Sequence, residues 1–438
     1  MPDLRERIGQ IPFIDVHTHI DAEHITARGL SDVLLYHMVV SELYSAGCPD
    51  GARLSEWPDE QEAEQRIERA LDYLPYIRYT SCYYGVKRIL RDLYGWEEEL
   101  TKDNWRRADA LIRERYGDPA WAREILKRAG VEKVNTELCR RGGGAWDGTL
   151  FYSLEWAFFT RIQHRQYDTA LVELEAAWTE QGVGKPLPVN IDPAKLGAMK
   201  RIRTLDDIET ALDHTIAHIP LEDIAGMPTH YSSYIHYRPV SAKEMAAALK
   251  RRAAAGEAER DIYANYIADR FYEKLSVLQG RGKVRIGVSV GAEPLDFETG
   301  CRLDADTLFT LAELAAKHPG LDILVFNACE SLDQTLCTLI RETPNLYAAG
   351  YWWHNFFPHA ISSVFTRRID MLPTNKWFGF FSDAYCLDWC YAKSQIVRSV
   401  MADALEKRVQ SGLIDAQGAI VLVKTLCYDN AVRYYGLK

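Results

Sequence analysis

The sequence predicts an α/β fold, a (β/α)8 barrel of the TIM type with a helical insertion after strand 1. Three observations predict it: short apolar runs alternate with longer helical patterns, eight such runs occur, and no repeat or long linker divides the 438 residues. We therefore expect a single domain over residues 1–438. A doubly wound open sheet is the alternative, but the first strand is not followed by a glycine-rich nucleotide-binding motif.

The predicted strands are short runs rich in β-branched and aromatic residues. In chain order they are PFIDVH near 12, EKVNT near 132, TLFYSLEWAF near 149, MPTHYSSYI near 227, KVRIGVSVG near 283, LDILVFNA near 321, NLYAAGYWW near 345 and WFGFFSDA near 377. Approximately residues 25–125 separate the first two strands and have the apolar periodicity of helices. In a βα barrel this insertion is expected above the carboxyl ends of the strands, where it can shape a substrate pocket.

Composition narrows the function classes. The net charge of -10 makes a nucleic-acid partner a poor expectation. The charged amino terminus and the lack of an apolar run of about 18 residues predict neither a signal peptide nor a membrane partner. Nine cysteines are scattered without metal-ligand or disulfide-framework spacing, which favours a reducing, cytoplasmic location.

Two histidines end the first predicted strand, and an aspartate ends the last. In a strand, residues i and i+2 face the same side, so His17 and His19 are expected to project together. Asp15 alternates with them and could orient a ligand or make a structural hydrogen bond. Strand eight adjoins strand one in a closed barrel, which brings Asp383 beside the pair. Two imidazoles and one carboxylate predict a catalytic divalent metal site, while two polar strand ends satisfied by backbone groups are the alternative.

The motifs DVHTH and SDA, at the first and last strands, resemble those of the amidohydrolase superfamily. YHMVVSELY, ILVFNACESLDQTL, PNLYAAGYWWHN, FFSDAYCLDWCYAKSQIV and CYDNAVRYYG are similar to stretches of uronate (glucuronate) isomerases. The resemblance runs from about residue 10 to the carboxyl terminus. It implies an isomerase that interconverts aldo- and keto-uronates in carbohydrate catabolism, with an anionic sugar acid as its small-molecule substrate. Related barrels often form symmetric oligomers, so a homo-oligomer is also expected.

The same resemblance implies roles for individual residues. His17, His19 and Asp383 would hold a divalent metal, usually zinc, with manganese, iron or cobalt as alternatives. Asp383 would also serve as the catalytic base that moves a proton between C2 and C1, and His37 would reach the substrate. The expected substrate-binding residues are Trp352, Trp353, His354, Asn355, Arg238, His230 and Tyr385. Core packing is an alternative for the two tryptophans, and solvated strand ends are an alternative for His230 and Arg238.

The chain departs from the isomerase pattern at two positions. Isomerases of this type follow the last-strand aspartate with an arginine that holds the substrate carboxylate, and this chain has Tyr385 there. Met38 stands where the isomerases have a tyrosine. Two alternatives therefore stay open: a single-metal hydrolase of a small C–N or C–O substrate, and a catalytically silent binding protein.

Overall fold

A computed structural model describes residues 4–437, apart from 50–59, 138–145, 147, 155–169, 181–192, 232–237, 255, 279–283, 295–297, 301–302 and 353–354. The strands are β1 Phe13–Asp15, β2 Val131–Thr136, β3 Leu150–Tyr152, β4 Met227–Tyr231, β5 Val284–Val290, β6 Ala292–Pro294, β7 Glu298–Gly300, β8 Leu321–Asn327, β9 Leu346–Ala349 and β10 Trp377–Phe378.

Several helices follow β1, and helices also lie between most of the later barrel strands. They are α1 Leu4–Gly9, α2 Leu30–Leu34, α3 His37–Ser45, α4 Glu60–Leu71, α5 Leu74–Ile77, α6 Ser81–Tyr94, α7 Trp105–Arg115, α8 Pro119–Ala129, α9 Ala170–Thr179, α10 Leu205–His218, α11 Ala242–Lys250, α12 Glu257–Ser276, α13 Ala305–Lys317, α14 Asp333–Glu342, α15 Pro358–Met371, α16 Leu387–Gln410, α17 Ala416–Lys424 and α18 Asn430–Tyr435. A π-helical turn, Thr425–Asp429, joins the last two.

Eight parallel strands form the barrel. They occur as one sheet in the order β1-β2-β3 and another in the order β4-β5-β8-β9-β10, while β6 and β7 form a separate antiparallel ribbon. Two pairs of backbone hydrogen bonds connect the sheets. Between β3 and β4, Leu154 donates to Gly226 at 3.0 Å and Ala225 donates to Tyr152 at 2.6 Å. This junction continues the strand order of the barrel.

The second junction joins the segments that follow β10 and β1. The Asp383 N–H donates to the His17 carbonyl at 3.0 Å, and the His19 N–H donates to the Ala384 carbonyl at 2.9 Å. Strand order around the ring therefore follows the chain, as in a (β/α)8 barrel. The predicted fold class is confirmed, and the barrel closes at the residues predicted to bind metal.

Apolar patterning explains where the core lies. All seven residues of β8 are buried, because helices cover the outside of a parallel barrel while side chains fill its interior. The helices α2–α8 lie between β1 and β2, in the stretch where the sequence predicts an insertion. Gly85 of α6 permits a close approach to α16, since a Cβ atom there would lie 2.7 Å from Trp389. Among the described residues, we find no helix with the length and apolarity needed to cross a membrane.

Candidate metal centre

The two histidines lie just beyond β1. The strand ends at Asp15, two residues before His17 and earlier than the sequence pattern predicts, and the backbone beyond it is hydrogen-bonded to residues 383–384. The imidazole rings nevertheless face one another edge to face, with centroids 5.0 Å apart. His17 is buried and His19 is partly exposed, so one side of the pair is open to solvent.

Asp383 brings a carboxylate to the histidines from the other side of the barrel seam. Its Oδ1 lies 3.3 Å from Nε2 of His17 and 3.3 Å from Nε2 of His19. One ligand atom from each residue lies within 4.8 Å of the others. Zinc–ligand bonds of about 2.0–2.1 Å in a tetrahedron place neighbouring ligand atoms roughly 3.4 Å apart, which is close to the observed separations. The three residues therefore form a cluster that could hold a divalent metal ion.

Glu137 is a member of the site that sequence reasoning missed. It follows β2 directly, and its Oε1 lies 2.7 Å from Nδ1 of His17, while Oε2 is 3.8 Å from Nδ1 of His19. Each ring thus has a carboxylate at both nitrogens. A carboxylate at Nδ1 leaves the Nε2 lone pair for a metal, which is the usual arrangement around metal-binding histidines. The rule used for Asp383, an acidic residue at a strand end, also applies to Glu137.

The electrostatics of the cluster favour a dication. Burial opposes protonation of His17, but the charges of Glu137 and Asp383 outweigh it and raise the pKa of His17 to about 10. Burial likewise opposes ionisation of Asp383, yet hydrogen bonding to the two imidazoles holds the pKa of this carboxyl well below its usual value. Both carboxylates are therefore ionised, and a divalent ion bound to neutral imidazoles would replace the positive charge that protons supply.

Asp15 lies beneath the cluster and has a structural part. Its Oδ1 accepts the backbone N–H of Ser382 at 2.9 Å, and the Cys390 thiol approaches Oδ2 at 3.3 Å. It also lies 3.4 Å from the His17 N–H. Full burial raises the pKa of Asp15 to about 6. Of the two roles considered for Asp15, the contacts fit the structural hydrogen bond, which ties the segment after β10 to β1.

His37 and Tyr385 lie beside the cluster. Tyr385 stacks on His19 with ring centroids 5.1 Å apart, and the His37 ring lies 5.3 Å from Tyr385. Burial lowers the pKa of His37 to about 3, so its imidazole is neutral at physiological pH. The side chain of Tyr385 is 37% exposed and forms an open edge of the site. The structure thus brings together His37, from the helices after β1, and Tyr385, which follows the last strand.

Other predicted site residues have varied positions. Trp352 and Asn355 are buried after β9, and the Asn355 amide lies against backbone carbonyls of the segment around Ser382. Trp353 and His354 lie outside the described residues. His230 belongs to β4 and pairs in register with Ser289 of β5, and its side chain is not among those described.

Arg238 lies against two helices. Its guanidinium pairs with Glu244 of α11 at 2.9 Å and with Asp261 of α12 at 3.4 Å, and its backbone N–H donates to the Asn265 side chain. The structure does not show Arg238 in contact with the histidine cluster. Its predicted role in binding an anionic substrate stays a prediction. Met38 is buried one residue after His37.

Comparisons with known proteins agree with this fold. The chain is 21% identical to a uronate isomerase of Nostoc punctiforme, over 99% of this chain and 94% of that protein. Glucuronate isomerase from Caulobacter crescentus superimposes with a TM-score of 0.75 and 16% identity, covering 99% of this chain and 93% of that one. Uronate isomerase from Thermotoga maritima superimposes with a TM-score of 0.70 and 14% identity, covering 99% of this chain and 96% of that one. The chain resembles uronate isomerases along its whole length. No protein-family model matches it.

Proposed function

We propose that this protein is a metal-dependent isomerase that interconverts the aldose and ketose forms of a hexuronate or a related sugar acid. The convergence of His17, His19 and Asp383 at the barrel seam carries the proposal. The full-length likeness to uronate isomerases supports the choice of reaction, and the hydrolase and silent-binding alternatives are not favoured by it.

The residues present fit a resident metal, most simply zinc, held by the two histidines and Asp383, with manganese, iron or cobalt as alternatives. When bound, such an ion supplies Lewis-acid polarisation of substrate oxygens. The Asp383 carboxylate would accept the proton from C2 of the substrate and return it at C1, while the proton of the C2 hydroxyl passes to the C1 oxygen, so that an enediol forms and collapses without net gain or loss of atoms. The neutral His37 imidazole would donate a hydrogen bond to a substrate oxygen.

Tyr385, at the open edge of the site, would influence which sugar acid is bound. Tyr385 offers a hydroxyl and a ring where a guanidinium would give a bidentate pair with a carboxylate. We therefore expect a weaker hold on the substrate carboxylate at this point than an arginine would give. Trp352, Trp353, His354, Asn355, His230 and Arg238 are the further substrate-binding candidates. A cytoplasmic location and a homo-oligomer stay predictions from the sequence.

A direct assay tests the proposal. Aldose–ketose conversion is followed across hexuronates with zinc, manganese or cobalt supplied, alongside the Asp383→Asn variant. We expect turnover of at least one uronate by the parent protein and none by the variant. The absence of turnover on every uronate rejects the isomerase. A parallel screen of amide, lactone and ester substrates tests the hydrolase, whose products together have gained one water molecule. A protein that neither contains nor binds metal points to the silent binding protein.

A further inference from the structure

Asp383 has a backbone conformation that is unusual for its residue type. Its φ of +55° lies in the left-handed region, and among the described residues it is the one non-glycine with positive φ. This conformation is unfavourable for residues with a Cβ atom and persists where surrounding contacts determine it. The carboxylate lies between the two histidines because the chain turns in this way. The contacts that hold the turn therefore also determine the site.

Two buried side chains contact the carbonyls of this turn. The Lys393 ammonium of α16 donates to the Ser382 carbonyl at 2.6 Å and to the Tyr36 hydroxyl at 2.9 Å, and lies 3.5 Å from the Asp383 carbonyl. The Tyr36 hydroxyl in turn donates to the Asp383 carbonyl at 2.6 Å. Lys393 is 1% exposed and Tyr36 is 4% exposed, so water competes little for these hydrogen bonds.

Burying a lysine here is costly. Desolvation lowers the pKa of Lys393 to about 8, although the nearby Asp383 charge acts in the opposite direction. The hydrogen bonds described for the ammonium go to carbonyls and a phenol, and its Nζ lies 4.4 Å from the Phe356 ring centroid and 4.8 Å from that of Tyr36. A buried charge is unfavourable unless such polar partners satisfy it. The ammonium is therefore buried where it contacts two consecutive carbonyls, those of Ser382 and of the candidate metal ligand Asp383.

Tyr36 also links the turn to the helical insertion. It is the residue before α3, which begins at His37, and its ring contacts the His37 ring with centroids 4.3 Å apart. Tyr36 packs on Trp389 of α16 as well, at 4.6 Å. One hydroxyl therefore connects the insertion, the end of the barrel seam and α16.

We propose that Tyr36 and Lys393 form a carbonyl clamp, a pair of positioning residues that holds Asp383 in its left-handed conformation with Oδ1 3.3 Å from both imidazoles. Because Tyr36 precedes His37, the carbonyl clamp also fixes where the insertion presents that imidazole. The inference rests on the metal centre of the proposed function, and it does not depend on which substrate is turned over.

Cobalt binding tests the carbonyl clamp without measuring catalysis. Co²⁺ is titrated into the metal-free protein, and both the dissociation constant and the visible absorption, which reports coordination geometry, are recorded. The variants are Tyr36→Phe, which removes one hydroxyl, and Lys393→Met, which removes the ammonium. We expect each to raise the dissociation constant for Co²⁺ about 10- to 100-fold, as loss of supporting groups around metal ligands does, and to change the spectrum.

Matched controls separate positioning from general destabilisation. Lys376 is also buried, donates to the Pro344 carbonyl at 2.8 Å and lies over the Tyr347 ring, but it precedes β10 at the opposite end of the barrel. Tyr263 of α12 donates to the Ala248 carbonyl at 2.9 Å. Lys376→Met and Tyr263→Phe are expected to lower the unfolding temperature and to leave the Co²⁺ affinity and spectrum unchanged.

The possible results separate the carbonyl clamp from the proposed function. Folded Tyr36→Phe protein with the parent's Co²⁺ affinity and spectrum overturns the carbonyl clamp, and this milder variant decides alone if Lys393→Met does not fold. A parent protein that binds no Co²⁺ overturns both the carbonyl clamp and the proposed function. A parent that binds Co²⁺ but converts no uronate rejects the proposed function alone, and the variant affinities still decide the carbonyl clamp.

Discussion

Replacing Glu137 should weaken metal binding, although Glu137 is not itself one of the candidate metal ligands. Its Oε1 is 2.7 Å from Nδ1 of His17, close enough for an ion pair in which the ring N–H donates to the carboxylate. A hydrogen bond to an ionised group is typically worth about 1.5–3 kcal/mol, whereas a neutral one is worth about 0.5–1.5 kcal/mol. Glu137→Gln keeps an oxygen that accepts the same proton but removes the charge. The expected loss is therefore about 1.4 kcal/mol, which is roughly tenfold in the dissociation constant. Glu137→Ala removes both contributions, and about 100-fold is expected.

The assay is competition for zinc with a chromophoric chelator at constant pH. Glu175→Gln is the matched control, because Glu175 is also a fully buried carboxylate but is bound by Arg252 and Arg201, away from the histidines. It should leave zinc affinity at the parent value. A folded Glu137→Gln protein that binds zinc within twofold of the parent refutes the reasoning, since the carboxylate at Nδ1 would then contribute nothing to the ligand.

Three further outcomes are expected. Tyr385→Arg should lower KM for a uronate about tenfold in steady-state kinetics, because a guanidinium adds a charge-assisted pair with the carboxylate; an unchanged KM would show that the substrate carboxylate lies elsewhere. His37→Gln should lower kcat about 100-fold while the bound metal, measured by elemental analysis, stays constant; loss of metal would instead make His37 a ligand. Burial opposes ionisation of Glu175, but hydrogen bonds from Arg252 and Ile202 outweigh it and lower the pKa of this carboxyl. The ionised carboxylate therefore stabilises the folded protein above the unfolded-state pKa, and this stabilisation is lost as pH falls. Glu175→Gln should therefore lower the free energy of unfolding in urea by about 3 kcal/mol at pH 7, with a smaller difference at pH 4, and an equal loss at both values would contradict this assignment.

The fold and the convergence of the candidate metal ligands could be predicted from the sequence because both follow from periodicity. Apolar runs such as β8 alternate with helical segments, and a parallel barrel brings strand ends together. His17 and Asp383 are 366 positions apart in the chain, yet closure makes their strands neighbours. The exact end of β1 could not be predicted, since apolar patterning locates a strand better than it locates the strand's last residue.

Two groups in the site were not predicted from the sequence, for different reasons. Glu137 carries the same strand-end signal as Asp383, but it follows a strand, Val131–Thr136, whose own charged residues are typical of a surface strand. Lys393 lies in α16, where a lysine normally faces solvent, and its 1% exposure results from packing of the insertion and the barrel around it. Such burial is a property of tertiary structure, and residue type alone predicts the opposite.

The charge balance of the site bears on the absence of an arginine at position 385. Glu137, Asp383 and Asp15 each contribute one negative charge, and Lys393 contributes one positive charge close to them. A dication with neutral imidazoles then brings the net charge of this largely buried site to zero. The dication thus offsets the carboxylates and removes their repulsion of an anionic substrate, but no excess positive charge is left to attract one. The proposed preference for a sugar acid therefore depends on a local contact with the substrate carboxylate, and a guanidinium in place of Tyr385 would supply that contact and fix the carboxylate's orientation.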